Sequence, residues 1–225
     1  MFLTLLTVAF AQDLELPIAS PAASVTQQIG TVEMKVSYYS PGVKGRSVFG
    51  ELVPYGELWR TGANSGSIIE TDGDVKIGGK DVPAGSYMLF TIPGEDRWTV
   101  VLNKDLDARP WSHDEAKDLL RFDVEPSTIP NRERLTFVFS DTDEDSASLD
   151  LEWADKRVSM PITVDTVGRG KKAVDAYVNR AARKIADGAR FHLEHGDVET
   201  GLKLVEQSMG VKETWFALWT RAELL

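Results

Sequence analysis

The chain has 225 residues, of which 42% are hydrophobic and 27% are charged, an ordinary composition for one globular domain with a smaller second unit. The net charge of −10 argues against nucleic acid as the main partner, because phosphate recognition needs a basic face. The absence of cysteine excludes disulfides, thiolate catalysis and cysteine-ligated zinc.

The first residues of the chain, MFLTLLTVAFA (residues 1–11), predict a signal peptide. They form a short apolar core that ends in the triplet AFA, a typical cleavage pattern, and they are too few to span a bilayer. We therefore expect a mature protein that begins near Gln12, is periplasmic or secreted, and has no integral membrane span. The alternative is a buried N-terminal strand. Residues 12–24, which contain two prolines, are expected to form an extended leader.

Residues 25–165 predict a β domain. Alternating apolar and polar residues recur in short runs that are separated by turn signals such as Gly30, Asp72-Gly73 and Pro93-Gly94. Strands at this spacing, joined by Gly, Pro and Asp turns, predict a mainly β fold, an antiparallel β-sandwich or barrel. The predicted strands are 24–29, 32–38, 67–70, 75–77, 87–92, 98–102, 119–124, 134–139, 148–153 and 158–164.

Residues 170–225 predict a helical extension. Apolar residues fall on one helical face at positions 174, 177, 178, 181 and 185, and further helices are expected at 198–209, capped by Gly210, and from Trp215 onward. Some residues match a tetratricopeptide repeat in their spacing: Gly188, Phe191, Gly196, Gly201, Val205 and Ser208. Two interpretations stay open: a helical hairpin packed against the sheet, or a peptide-binding tetratricopeptide-like repeat.

The segment between Ser40 and Ser67 predicts an elaborately specified loop that holds a ligand. It is dense in Gly, Pro, aromatic residues and Arg, and a guanidinium beside a tightly specified backbone suits a small polar or anionic ligand. The alternative is that Arg60 is buried and fixes loop carbonyls together with a carboxylate such as Glu57 or Glu70. The candidate ligand-binding residues are Arg46, Tyr55, Arg60, Asn64, Trp111 and His113.

His113 is the weak candidate for a catalytic residue. A loop histidine can act as an acid or base, but its neighbour in sequence, Asp114, need not touch it in space. The chain has no GxSxG, HExxH or P-loop motif. Ser65 or Ser112 would be a nucleophile only if the fold brings a base to it.

The remaining polar and aromatic clusters favour ordinary structural roles, and no metal or cofactor is predicted. The acidic run 141–145 has the composition of a calcium loop, but it joins two strands and has Ser146 where such a loop needs glycine, so a solvated turn is expected. Several aromatic residues suit either a sugar platform or packing: Tyr38, Tyr39, Trp59, Trp98 and Trp111. Trp98 and Trp153 lie in strand patterns and are expected in the core.

These motifs carry a resemblance to a known family. The runs SVTQQIG, WRTGAN and AGSYMLFTIP, within residues 20–165, resemble an uncharacterised family of bacterial envelope proteins that is catalogued as a domain of unknown function. Some members are followed by tetratricopeptide-like helices, as in this chain. Members often have Glu after the Asn of WRTGAN, where this chain has Ser65. The resemblance implies an exported β domain and transfers no activity.

Three function hypotheses follow. The leading one is an exported non-catalytic binding or interaction module, whose partner is a small polar or anionic ligand, a glycan or an envelope protein bound at the 46–64 loop. The second is a periplasmic hydrolase that acts on a sugar or ester through His113. The third is a purely structural envelope protein. Convergence of Arg60, Asn64 and His113 in one concave pocket would favour the enzyme.

Overall fold

The computed structural model describes residues 16–225, so the predicted signal peptide, residues 1–11, lies outside the described part. The chain divides into two compact units, one that ends at Val164 and one that runs from Asp165 to Leu225. Each unit has its own hydrophobic core.

Within residues 16–225, the first unit contains ten strands in two antiparallel sheets. The six-stranded sheet has the order β1-β2-β3-β6-β7-β8, and the four-stranded sheet has the order β5-β4-β10-β9. The strands are β1 (Ala22–Ile29), β2 (Val32–Tyr39), β3 (Ser67–Thr71), β4 (Val75–Ile77), β5 (Lys80–Val82), β6 (Gly85–Ile92), β7 (Trp98–Asn103), β8 (Asp118–Val124), β9 (Ser127–Ser140) and β10 (Ser146–Thr163). The predicted mainly β, antiparallel fold is confirmed, and two separate sheets identify it as a sandwich.

The core of the sandwich lies between the two sheets. In β2 the residues at positions 32, 34 and 36 are fully buried and alternate with more exposed ones, as a half-buried strand requires. Trp98 and Trp153, which were predicted to be core residues, are 1% and 2% exposed. Trp59 stacks on Trp153 with ring centroids 5.8 Å apart.

The six-stranded sheet is buried on its outer face as well. In β6, Leu89 packs in the main core, whereas Met88 and Phe90 belong to a second apolar cluster with Val101 and Ala108. The connection between β7 and β8 contributes Ala108 and contains two short 3-10 turns, Pro110–Ser112 and Glu115–Lys117. This connection forms a third layer on the domain, which the sequence did not predict.

The hairpin of β9 and β10 is longer than expected. The runs predicted as separate strands at 148–153 and 158–164 belong to one strand, β10, of 18 residues. Register shifts lie on both sides of Ala154, whose φ is +51°, and such bulges bend a strand without ending it. The sequence predicts a break between the two runs because the segment Ala154–Arg157 contains three charged residues, which are typical of a loop.

The second unit consists of α1 (Thr166–Glu194), α2 (Val198–Val211) and α3 (Trp215–Leu224). The three predicted helices are confirmed, but α1 begins earlier than expected because the Asp165 side chain accepts the Gly168 N–H at 2.8 Å and caps it. Helix α2 continues through Gly210, which was expected to end it. None of the helices within residues 16–225 has both the length and the apolarity needed to cross a membrane.

Small residues let α1 and α2 approach closely. A Cβ on Gly201 would lie 3.2 Å from the carbonyl oxygen of Ala189, so only glycine fits there without a shift. The buried Ser208 Oγ donates to the carbonyl oxygen of Ala182 at 2.7 Å. Gly201 and Ser208 are two of the positions that suggested a tetratricopeptide-like spacing, and each makes a close contact between these helices.

Candidate functional site

The loop that leads from β2 to β3 is held in an unusual backbone conformation. Lys44, Thr61 and Asn64 have φ values of +50°, +53° and +54°, a region that residues with a side chain seldom adopt. The backbone N–H and C=O of Trp59 pair with Thr91 at 2.8 and 2.9 Å. This part of the loop therefore pairs with the last residues of β6, beyond the residues that pair with β3. The neighbouring Arg60 is therefore fixed by the sheet and the turn that follows.

This loop forms much of the wall of a cavity of about 330 Å³, which we call the basic cavity. Its volume lies at the lower end of the range for small-molecule sites, roughly 300–1,000 Å³. Lys44, Arg46 and Arg60 give it three cationic side chains, and the lining contains no carboxylate. Its lining residues are Ala19, Ser20, Pro41, Gly42, Lys44, Arg46, Leu52, Val53, Trp59, Arg60, Gly62, Ala63 and Trp153.

The positive charge of the basic cavity is largely uncompensated. Within residues 16–225, no ion pair joins Lys44, Arg46 or Arg60 to a carboxylate. Glu133 lies beside the cavity, where its Oε1 accepts the backbone N–H of Lys44 at 3.0 Å. The three cations therefore share a cavity whose lining has no carboxylate, an arrangement that attracts an anion.

The two arginines have different environments. Arg46 donates from Nε to the carbonyl oxygen of Val43 at 3.0 Å and from Nη2 to that of Gly42 at 2.6 Å, so it fixes its own loop. The Nε of Arg60 is buried and has no hydrogen-bond partner in the described part of the chain. Glu70, one of the carboxylates expected to hold Arg60, pairs with Lys35 at 3.3 Å.

A second unpaired donor belongs to Trp153, which also lines the basic cavity. Trp153 is 2% exposed, and its indole Nε1 is buried without a hydrogen-bond partner among residues 16–225. The stacked indole of Trp59 is satisfied, because its Nε1 donates to the carbonyl oxygen of Gly62 at 3.2 Å. Buried donors are nearly always paired in proteins, so two unpaired ones at one cavity are informative.

The other predicted ligand-binding residues do not line the basic cavity. Tyr55 lines a neighbouring cavity of about 360 Å³, which it shares with Arg46. Asn64 donates from Nδ2 to the carbonyl oxygen of Ser20 at 3.4 Å and so ties down the leader. Trp111 is 79% exposed on the β7–β8 connection.

The phenol of Tyr55 is a neutral donor at physiological pH. Burial raises its pKa above the ordinary value, and the nearby carboxylates of Glu95 and Asp155 raise it further. Such a hydroxyl can donate to a ligand oxygen but does not carry a charge. The aromatic residues proposed as a sugar platform are likewise dispersed, because Trp98 is in the core whereas Trp111 is on the surface.

His113 is held in a buried polar cluster on the third layer. Its Nε2 lies 2.7 Å from Oδ1 of Asp118, and both side chains are 8% exposed. The imidazole meets the ring of Phe90 edge-on, with centroids 5.4 Å apart. Asp118 also accepts from Asn103 Nδ2 and from Arg121 Nε, each at 2.7 Å.

The surroundings of Asp118 fix its charge and the tautomer of the histidine. Burial raises the pKa of this carboxyl, but hydrogen bonds from Asn103, His113 and Arg121 outweigh burial, so the pKa lies below the ordinary value. An ionised carboxylate only accepts, so Nε2 of His113 must carry the proton. The cluster of Asn103, His113, Asp118 and Arg121 therefore holds the β7–β8 connection against the sheet, and we call it the latch.

Arg60 and His113 do not converge in one site. The basic cavity borders the core indoles of Trp59 and Trp153, whereas His113 lies over Phe90 on the outer face of the six-stranded sheet. Within residues 16–225 there is no group of three or more His, Asp or Glu side chains placed to hold a metal ion. The acidic run 141–145 is the turn between β9 and β10.

Sequence reasoning missed three members of these clusters. Lys44 precedes Gly45 in a polar run and has no motif of its own, and the strand pattern around Trp153 predicts only a core position. Asp118 is five residues after His113, a spacing that carries no signal unless the register of β8 is known.

Comparison with known proteins places these features in a family. Residues 20–162 match the model of a family described as a protein of unknown function, DUF2911. This match confirms the resemblance to an uncharacterised family over that part of the chain. No curated protein and no solved structure matches the chain.

Proposed function

Because the chain belongs to the DUF2911 family, whose activity is not established, we propose a function from its own geometry: a non-catalytic binding module for a small anionic ligand. The observation that carries the proposal is the basic cavity, where Lys44, Arg46 and Arg60 meet without a carboxylate in the lining. Such a concentration of cations is unexpected in a protein of net charge −10. The three like charges repel one another. An anion that enters the cavity offsets this repulsion and is attracted by all three cations.

The environment of Arg60 favours binding over a purely structural role. A structural arginine would donate its hydrogens to loop carbonyls or to a carboxylate, as Arg46 does with Gly42 and Val43. The buried Nε of Arg60 instead has no partner among the described residues. A ligand oxygen would satisfy this donor.

The arrangement around His113 favours a latch over a hydrolase. Its Nε2 is committed to Asp118, and Ser112, the neighbouring hydroxyl, accepts the backbone N–H of Arg109 at 3.0 Å in a turn. Neither group lines the basic cavity. Binding without catalysis is therefore the simpler account of the site.

The experiment is a comparison of anion binding by three proteins in low salt. Isothermal titration with inorganic phosphate and with acetate is carried out on the unaltered chain, on Lys44→Gln/Arg60→Gln, and on Lys80→Gln/Arg97→Gln. The last pair is the matched control, because Lys80 and Arg97 are exposed cations outside the basic cavity. We expect binding that weakens with added salt, is retained in the control and is lost in the cavity variant. Equal anion binding by all three proteins would refute the proposal.

We further propose that the protein acts outside the cytoplasm, as a periplasmic or secreted protein. The apolar run 1–11 with its AFA ending supports this. N-terminal sequencing of protein recovered from its native host should begin near Gln12. Recovery of the cytoplasmic form with Met1 intact would refute the localisation.

A further inference from the structure

The basic cavity is more than a cluster of charges, because much of its wall is apolar. Beside the three cations, side chains without polar groups or with an indole face line it, among them Pro41, Leu52, Val53 and Trp59. A small hydrated anion would contact the cations and leave these walls in water. A ligand with an apolar body would bury them, and burial of apolar surface is favourable.

The indole N–H of Trp153 sets a second requirement. This donor is buried and unpaired, whereas Trp59 beside it donates to the Gly62 carbonyl. A ligand that brings a hydrogen-bond acceptor to Trp153 gains a bond that the free protein lacks. A ligand without an acceptor leaves the donor unpaired and gains nothing there.

We infer that the basic cavity takes a small organic acid: a carboxylate for the cations, an apolar body of one ring or a short chain, and a separate acceptor for Trp153 Nε1. The volume of about 330 Å³ limits the body to this size. This inference rests on the proposed anion-binding function and adds the ligand class. It also assigns Trp153 as the residue that determines specificity.

The test uses pairs of probes that differ in one feature. 4-Acetylbenzoate has a carboxylate, a ring and a carbonyl acceptor, and 4-ethylbenzoate has a similar shape without the acceptor. Glucuronate has a polar body, and inorganic phosphate has no body. Binding to the full chain is measured by titration calorimetry, with the tryptophan emission as a second signal because Trp59 and Trp153 border the cavity.

We expect 4-acetylbenzoate to bind the unaltered chain about tenfold more tightly than 4-ethylbenzoate, because a site with a buried donor discriminates against a ligand without an acceptor. In Trp153→Phe, which has no indole N–H, the two probes should bind equally. Trp98→Phe makes the same exchange at a core tryptophan outside the cavity lining, and it should keep the preference.

Equal affinity of the two benzoates for the unaltered chain would overturn the inference, and this comparison needs no variant to fold. Glucuronate binding more tightly than 4-acetylbenzoate would overturn the apolar body. Phosphate binding as tightly as any organic acid, and lost in Arg60→Gln, would leave the anion site in place and overturn only the ligand class. The absence of binding by every anion would overturn both.

Discussion

Removing the charge of Arg157 should destabilise the β unit more than a neutral substitution of Glu152, the carboxylate with which it pairs. Asp150 and Glu152 are each 2% exposed, on the face of β10 opposite the core. The Nε of Arg157 donates to Glu152 at 2.7 Å and lies 3.7 Å from Asp150, and this contact with Glu152 raises the pKa of the guanidinium. Arg132 pairs with the other oxygen of Glu152 at 2.5 Å.

The loss of stability differs between the two substitutions because the carboxylates are nearly buried whereas the arginines are partly exposed. Arg157→Met leaves Asp150, nearly buried, with only the hydroxyls of Ser140 and Ser148, and Glu152 with Arg132 alone; removing one partner of a buried carboxylate in this way costs about 3–5 kcal/mol. Glu152→Gln instead leaves two cations that are 47% and 42% exposed, so water can hydrate them. The loss is then that of charge-assisted hydrogen bonds, about 1–3 kcal/mol.

The assay is urea unfolding of the full chain, followed by tryptophan fluorescence and by circular dichroism, with free energies extrapolated to water. Arg97→Met is the matched control, because Arg97 is 66% exposed and lies 3.8 Å from Asp123 in a surface ion pair, which is typically worth about 0–1 kcal/mol. A cost for Arg157→Met no larger than that of the control would refute the reasoning. So would a greater cost for Glu152→Gln than for Arg157→Met.

Three further predictions concern other parts of the molecule. The pKa of Asp118 is lowered in the folded state, so its stabilising contribution is complete above the unfolded value of about 3.9 and is lost as pH falls through the folded value. Asp118→Asn should therefore flatten the decline of the melting temperature below about pH 4, and parallel curves would contradict this. Gly78→Ala would place a Cβ 2.4 Å from the Phe122 ring at a φ of +58° and should cost about 2 kcal/mol or more, whereas Gly79→Ala, with no atom within 4 Å, should show only the backbone strain of about 1–2 kcal/mol in urea unfolding. Ser208→Ala removes a buried hydrogen bond to a carbonyl of α1 and should lower the stability of the helical unit by about 1–2 kcal/mol, and an unchanged thermal transition at 222 nm would contradict it.

The fold was predictable because its signals are local. Alternation in β2, the turn at Asp72-Gly73 and the helical periodicity after residue 165 each depend on neighbours a few positions away. The third layer was not predictable, because the run Met88–Phe90 shows that a strand is buried on both faces but does not show what covers the second face. The cover comes from a polar connection in which Ala108 is the main apolar contact.

The sequence predicted the residue types of the candidate site, but it did not predict which residues meet in one cavity. Arg46 and Arg60 stand in a loop whose composition indicated a site, but their meeting with Lys44 depends on left-handed backbone angles at non-glycine residues. No sequence pattern specifies such angles at Lys44 or Thr61, because the surrounding fold imposes them. The neighbouring indole of Trp153 comes from the opposite sheet, about ninety positions away in the chain.

The latch between His113 and Asp118 has a consequence for how the protein behaves in acid. Surface connections usually tolerate change, but this one contributes Ala108 to the apolar cluster of Met88, Phe90 and Val101. Protonation of the Asp118 carboxyl would weaken the attachment of the connection, which Asn103 still ties through the carbonyl oxygen of Asp114 at 3.1 Å, and local opening there takes less energy than global unfolding. Opening would expose an apolar strip of Met88, Phe90 and Val101, and such a surface favours association between molecules. Self-association through this strip would then compete with repulsion between copies, because below its pI of about 4.8 the protein carries a net positive charge, and added salt that screens this charge would favour association.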